Sequence, residues 1–269
     1  MNSLFDVNRK KIVITGGAGV LGSALAEFLT EAGAHIAILD LNGTKARETA
    51  KDLGGKTAGF QADVLDRISV QNALKTVQEH FGIPDVLING AGGNHPKATT
   101  SDTLSFFDLP AESLRFVNEL NLLGTIIPSQ VAGKIFAEEK KGIILNISSM
   151  NAFRPLTRIP AYSAAKAAVS NFTQWMAVHM AQNYSPGIRV NAIAPGFFLT
   201  TQNRFLLTDE KTGELTERGR QILDHTPMNR FGNPEDLAGT VQWLISDASR
   251  FVTGIVVPVD GGFSAFSGV

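Results

Sequence analysis

The chain contains no cysteine, which excludes disulfides and thiolate-held metal. Its five histidines show no metal-ligand spacing, so no metal site is expected. Charge is balanced: 24 lysines and arginines against 25 aspartates and glutamates leave a formal net charge of −1. Without a basic field nothing attracts a phosphate backbone, and nucleic acid is not an expected partner. No apolar run approaches the roughly 18 residues of a membrane span. Met1-Asn-Ser-Leu-Phe-Asp6 lacks the basic-then-apolar layout of a signal peptide. A soluble cytoplasmic protein with no membrane contact is the simplest expectation. Among 269 residues there are two tryptophans and two tyrosines.

One of the tyrosines has an informative neighbour. Tyr162 and Lys166 stand four positions apart in Ala161-Tyr-Ser-Ala-Ala-Lys166, with Ser149 thirteen positions before the tyrosine. Residues four apart on a helix share a face. An ammonium beside a phenol favours the phenolate, so the spacing predicts a Tyr162 pKa below the ordinary value of about 10. Such a tyrosine can exchange a proton with a substrate oxygen near neutral pH. Ser149 could hold the same oxygen.

Lys11-Ile-Val-Ile-Thr15 reads as a buried strand, and Gly16-Gly-Ala-Gly-Val-Leu-Gly22 follows it at once. Helical spacing then runs over 23–32, and Gly33 closes it. Strand, glycine-rich turn and helix together form a dinucleotide-binding fingerprint, with Gly16, Gly19, Val20, Leu21 and Gly22 as the candidate phosphate-binding turn. The next strand, His35-Ile-Ala-Ile-Leu39, ends at Asp40, 18 positions past Gly22. A carboxylate near that spacing accepts hydrogen bonds from a ribose and repels a 2′-phosphate. Leu41 and Asn42 bring no cation, and Lys45 is the nearest one. NAD is therefore expected over NADP. Asp40 would also suit a cap for a helix starting near Gly43.

Further strands are expected at 57–62, 85–88, 142–147, 188–194 and 253–259. Helices are expected at 66–81, 111–138, 160–184 and 234–246, a long loop at 93–110, and a polar irregular stretch at 197–230. Strand–helix alternation implies an α/β fold, a Rossmann-type doubly wound seven-stranded parallel sheet with helices on both faces. No repeat or linker interrupts residues 1–269, so one domain is expected.

The motifs Thr15-Gly-Gly-Ala-Gly-Val-Leu-Gly22, Asp63-Val64, Asn89-Gly-Ala-Gly92, Asn121, Ser149, Tyr162–Lys166, Pro195-Gly196 and Val259-Asp-Gly-Gly262 occur in order. Together they resemble the short-chain dehydrogenase/reductase family along almost the whole chain. Two positions depart from its single-domain pattern: the middle glycine of the first turn is Gly19 rather than residue 20, and Gly90 replaces a usual asparagine. The resemblance implies Tyr162 as general acid or base and Lys166 as its partner and ribose ligand. It implies Ser149 polarising the carbonyl and Asn121 holding a relay water. It also implies Asp63 and Val64 at the adenine, Asn89 and Ala91 along the cofactor, and Pro195, Gly196 and Thr200 at the nicotinamide.

In that family the loop after the fourth strand runs beside the active site. Asn94, His95 and Lys97 there, with Asn151, Arg154 and Arg158 before Tyr162, would make a polar, cation-bearing pocket. Such a pocket suits a small-molecule sugar acid. Gly92-Gly-Asn-His-Pro-Lys97 is similar to the D-mannonate oxidoreductase (fructuronate reductase) subgroup. Another sugar, polyol or 3-oxoacyl substrate is the alternative. A non-catalytic NAD-binding regulator is a second, but it needs no proton-transfer set. Residues 197–230 are expected to form a lid, with Phe197, Phe198, Phe205, Leu206 and Leu207 excluding water and Arg204 a further carboxylate partner. The long helices and Ala164, Ala165, Ala167 and Ala168 permit close approach, and the tail Phe263-Ser-Ala-Phe-Ser-Gly-Val269 is apolar. Family members commonly pair through these parts, which implies a homotetramer.

Overall fold

The strands are short, apolar and rich in β-branched residues, which suits burial on both faces. In the computed structural model, which describes residues 4–199, 207–209 and 212–268, they form one parallel sheet. The strands are β1 (Lys11–Thr15), β2 (His35–Asp40), β3 (Thr57–Gln61), β4 (Val86–Asn89), β5 (Gly142–Ile147), β6 (Ile188–Pro195) and β7 (Val256–Val259). Their spatial order is β3-β2-β1-β4-β5-β6-β7. The winding direction reverses between β1 and β4, which pair from Ile12 opposite Val86 to Thr15 opposite Asn89. A sheet wound this way opens a crevice at the carboxyl ends of those two strands.

Alternation along each strand divides the core in two. Ile12, Ile14, Ile36, Ile38 and Ile88 face α1 (Val20–Glu31), α2 (Gly43–Leu53) and α8 (Ala238–Ile245), meeting Leu25, Ala46 and Val241. Val13, Ala37, Leu39, Leu87 and Ile144 face α3 (Arg67–Phe81), α5 (Gly124–Glu139) and α6 (Pro160–Asn183), meeting Leu74, Phe136 and Met176. Fully burying a side chain such as Phe136 contributes roughly 1.5–3 kcal/mol before any cavity term.

Three expectations need correction. The helical stretch at 111–138 is α4 (Ala111–Asn118) and α5 joined by a wide π turn at Glu119–Leu123. The polar stretch at 197–230 is not wholly irregular. It contains α7 (Glu217–Asp224), capped by Thr216, whose hydroxyl accepts from Gly219 N. The long loop at 93–110 holds short 3-10 turns at Pro96–Ala98 and Phe106–Asp108. Among the described residues, no helix is long and apolar enough to cross a membrane.

Candidate active site

The glycine-rich turn closes over the end of β1. Gly16 lies at φ 62°, and a Cβ there would stand 2.7 Å from the Ala91 Cα, so any other residue is strained. A Cβ on Gly22 would stand 2.5 Å from the Gly16 carbonyl oxygen, so the absent side chain lets α1 lie against the turn. Gly19 is the N-cap of α1 and offers no side chain to the first backbone N–H groups. Those donors have no intrahelical partner, and the positive helix end faces the crevice. Thr15 Oγ1 accepts from Gly90 N at 3.2 Å and Ala91 N at 3.3 Å, binding the two strand ends together. At Gly90 a Cβ would stand 2.8 Å from the Thr15 carbonyl oxygen, so an asparagine there would require the turn to move.

Asp40 ends β2 at the rim of the same crevice. Its Oδ2 accepts from Ala18 N at 3.3 Å and its Oδ1 from Asn42 N at 3.0 Å. The cap of α2 is Asn42, whose side chain accepts from Lys45 N. Asp40 is thus not the cap. It braces the glycine-rich turn and borders a cleft of about 420 Å³. Gly16, Gly19, Val20, Leu21 and Gly22 line one end of this cleft. Ser149 and Tyr162 line the other, and Ala91, Pro195 and Gly196 lie between.

Ser149 follows β5 and caps the 3-10 turn Met150–Ala152. Its Oγ accepts from Asn151 N and Asn151 Nδ2, both at 3.3 Å. Asn151 is buried, and its Oδ1 has no partner. Tyr162 stands in the first turn of α6 and Lys166 one turn later. Lys166 Nζ donates to the Ile147 carbonyl at 2.8 Å and lies 5.6 Å from the centroid of the Tyr162 ring. The electrostatics differ from those expected of the spacing. Burial pushes the Tyr162 phenol above its ordinary value, with hydrogen bonding by Ser149 acting the other way. Burial also lowers Lys166 to about 8. The ammonium is present at neutral pH, but the phenol is held in its neutral form.

Asn121 is the middle residue of the π turn and is fully buried. Its Nδ2 donates to the carbonyls of Gly93 and Val117, both at 2.7 Å, and its Oδ1 accepts from Gly93 N at 3.2 Å. It therefore clamps the loop after β4. Asn121 Oδ1 and Lys166 Nζ border one point: a Cβ on Gly92 would meet them at 2.7 and 3.3 Å.

Other candidates lie elsewhere. The Asn89 side chain points into the protein and donates to Ser129 Oγ and Asn146 Oδ1, both at 2.8 Å. Asp63 Oδ1 accepts from Leu65 N, and Val64 is buried against Gly124. Asn94 donates to Thr99 Oγ1, and His95 Nδ1 accepts from Lys97 N. Both hold their own loop together. Lys97 is exposed, and Arg154 donates to the Ser264 carbonyl. None of these seven lines the cleft. Phe198 and Leu207 of the expected lid are buried, and Phe198 belongs to the core. Thr200, Arg204, Phe205 and Leu206 lie outside the described residues. Sequence reasoning missed Ile147, Ser148, Gly92 and Phe198 as cleft walls. Only their adjacency to singled-out residues could have suggested them.

A parallel sheet wound about this crevice, with a glycine-rich turn at one end and Ser–Tyr–Lys at the other, has known relatives. A family model described as enoyl-(acyl carrier protein) reductase matches residues 16–264. The chain belongs to the short-chain dehydrogenase/reductase family. It is 49% identical to the uncharacterized oxidoreductase UxuB of Bacillus subtilis, covering 97% of this chain and 96% of that one. It is 34% identical to the 2-dehydro-3-deoxy-D-gluconate 5-dehydrogenase of Escherichia coli, covering 98% of each. A crystal structure from Haemophilus influenzae, provisionally described as a D-mannonate oxidoreductase and holding NAD, superimposes with a TM-score of 0.91. It is 47% identical and covers 99% of this chain and 100% of its own.

Proposed function

We propose that the protein is an NAD-dependent oxidoreductase that interconverts a hydroxyl and a ketone on a sugar acid, with D-mannonate and D-fructuronate as the leading pair. One observation carries the reading: Ser149 and Tyr162 open onto the same cleft as the glycine-rich turn and Asp40. The residues present fit a dinucleotide. The uncapped N-terminus of α1 suits a pyrophosphate, and Asp40 suits a ribose hydroxyl. When bound, NAD supplies the hydride donor or acceptor.

The chain's own groups then handle the oxygen. Ser149 Oγ donates to a substrate carbonyl and orients it. Tyr162 donates its phenolic proton to that oxygen in reduction and takes it back in oxidation. A phenol kept neutral by burial suits the donor role. Lys166 steadies the tyrosinate that forms. Asn121 acts by position, holding Gly93 and the loop wall, and Asn151 Oδ1 is available to a substrate hydroxyl.

The names of the Haemophilus and Escherichia relatives support a sugar acid as substrate. The test is NADH oxidation with fructuronate, tagaturonate, neutral ketoses and an acetoacetyl thioester. Highest kcat/KM on fructuronate is expected. Preference for a neutral ketose or the thioester would overturn the substrate while leaving the oxidoreductase. The proposal includes a cytoplasmic homotetramer. An apolar groove of about 1060 Å³ between α5 and α6, bordered by Phe172, Trp175 and Met176, supports the assembly.

A further inference from the structure

A second cavity, of about 410 Å³, adjoins the cleft. The two share a wall segment: Pro195, Gly196 and Phe198 line the cleft, and Phe197 lines this cavity. Arg158 enters it from the loop that leads into α6, four positions before Tyr162. Arg218 enters it from the first turn of α7. Phe197 and Phe263, packed edge to face with centroids 5.1 Å apart, give it an apolar side.

The two guanidinium groups act on each other. Burial and the charge of Arg158 both press Arg218 toward losing its proton. No acid offsets this closely. Among the described residues Arg218 has no ion pair or side-chain hydrogen bond. Arg158 meets only Asp102, at 3.9 Å, and that carboxylate is almost fully in water. Glu217 also lines the cavity, but its carboxylate accepts from Gln221 Nε2 at 3.3 Å. A partly buried cation facing a like charge without a counter-ion is unfavourable. The arrangement becomes favourable when an anion lies between the two forks, because guanidinium groups bind carboxylates with paired, charge-assisted hydrogen bonds.

We propose that Arg158 and Arg218 hold the carboxylate of the substrate in this cavity, with its carbon chain running past Phe197 toward Ser149 and Tyr162. The assignment rests on the sugar-acid reading above and moves carboxylate recognition away from Lys97 and Arg154. A ligand carrying an acid at one end and a ketone further along the chain fits both cavities at once.

The experiment compares kcat/KM for fructuronate and for fructose in wild type, Arg218→Met, Arg218→Lys and Arg158→Met. Losing one charged fork should lower kcat/KM on the acid by roughly ten- to a hundredfold, mainly through KM, and leave the ketose unchanged. Arg218→Lys should recover part of the loss, since it restores charge without the fork. Arg158 lies on an exposed loop, so its variant serves if Arg218→Met does not fold. If wild type prefers the acid and the variants keep that preference, the cavity assignment is wrong and the sugar-acid reading stands. If wild type prefers the neutral ketose, both fall.

Discussion

At the scale of single residues, the candidate chemistry depends on burial as much as on residue type. Tyr162→Phe keeps the ring and removes the proton, so turnover should fall by roughly a hundred- to ten-thousandfold while NADH still binds. Near wild-type NADH oxidation in this variant, alongside an unchanged fluorescence titration, would remove Tyr162 from the mechanism. Lys166 yields a stability prediction. Its pKa in the fold is about 8 against an ordinary 10.5. Between those values the unfolded chain binds more protons, so stability rises with pH across that window. Below it the buried ammonium opposes folding by its full amount, on the order of 3 kcal/mol. Lys166→Met should therefore gain melting temperature over wild type most at pH 7, and the gain should shrink by pH 10. A gap that does not change with pH would mean the ammonium is well solvated. Asp40 predicts a kcat/KM for NADH at least about tenfold above that for NADPH, a difference of about 1.4 kcal/mol. Asp40→Ala should narrow it, and a wild-type preference for NADPH would contradict the assignment.

At the scale of elements, the π turn is the feature that periodicity could not reveal. The apolar pattern at 111–138 reads as continuous helix because one wide turn barely changes which residues face inward. The structure inserts that turn at Asn121, a polar residue in an apolar stretch, and π turns recur at functional sites. Asn121→Ala deletes three hydrogen bonds at buried positions, two of them to Gly93. Stability should fall by about 1–3 kcal/mol. Hydrogen exchange should rise over residues 92–99 and stay unchanged in β5. Unaltered protection of that loop would show that Asn121 does not hold it. The segment around α7 was legible in part: Thr216 before Glu217 is a sound cap signal, obscured by polar neighbours and the absence of an apolar stripe.

At the scale of the whole molecule, the outer surface of α5 and α6 is the place for a partner. Trp175 is 58% exposed and stacks on His179 at 4.7 Å, beside Phe172 and above the apolar groove. Exposed apolar surface of this kind is unfavourable in water and is relieved when covered. A second copy docking there would give a two-fold interface, and two such pairs a tetramer. Trp175→Glu should yield a species of about half the wild-type mass or less by light scattering at micromolar concentration. An unchanged mass would place the interface elsewhere, and a monomeric wild type would end the tetramer proposal.

The sequence by itself determined the sheet, the crevice and the residues at its two ends. Strand alternation, the glycine-rich turn and the Tyr162–Lys166 spacing are local patterns, and local patterns survive in one dimension. It did not determine which loop side chains reach the crevice. Asn94, His95, Lys97 and Arg154 had the right chemistry for a carboxylate pocket, but two of them stabilise their own loop, one is exposed and one holds the chain near the C-terminus. Arg218 went unnoticed because 52 positions of sequence separate it from Lys166. Only packing turns it toward Arg158. The pKa values were likewise decided in three dimensions. A spacing of four shows that an ammonium can stand near a phenol, whereas desolvation depends on everything packed around the pair.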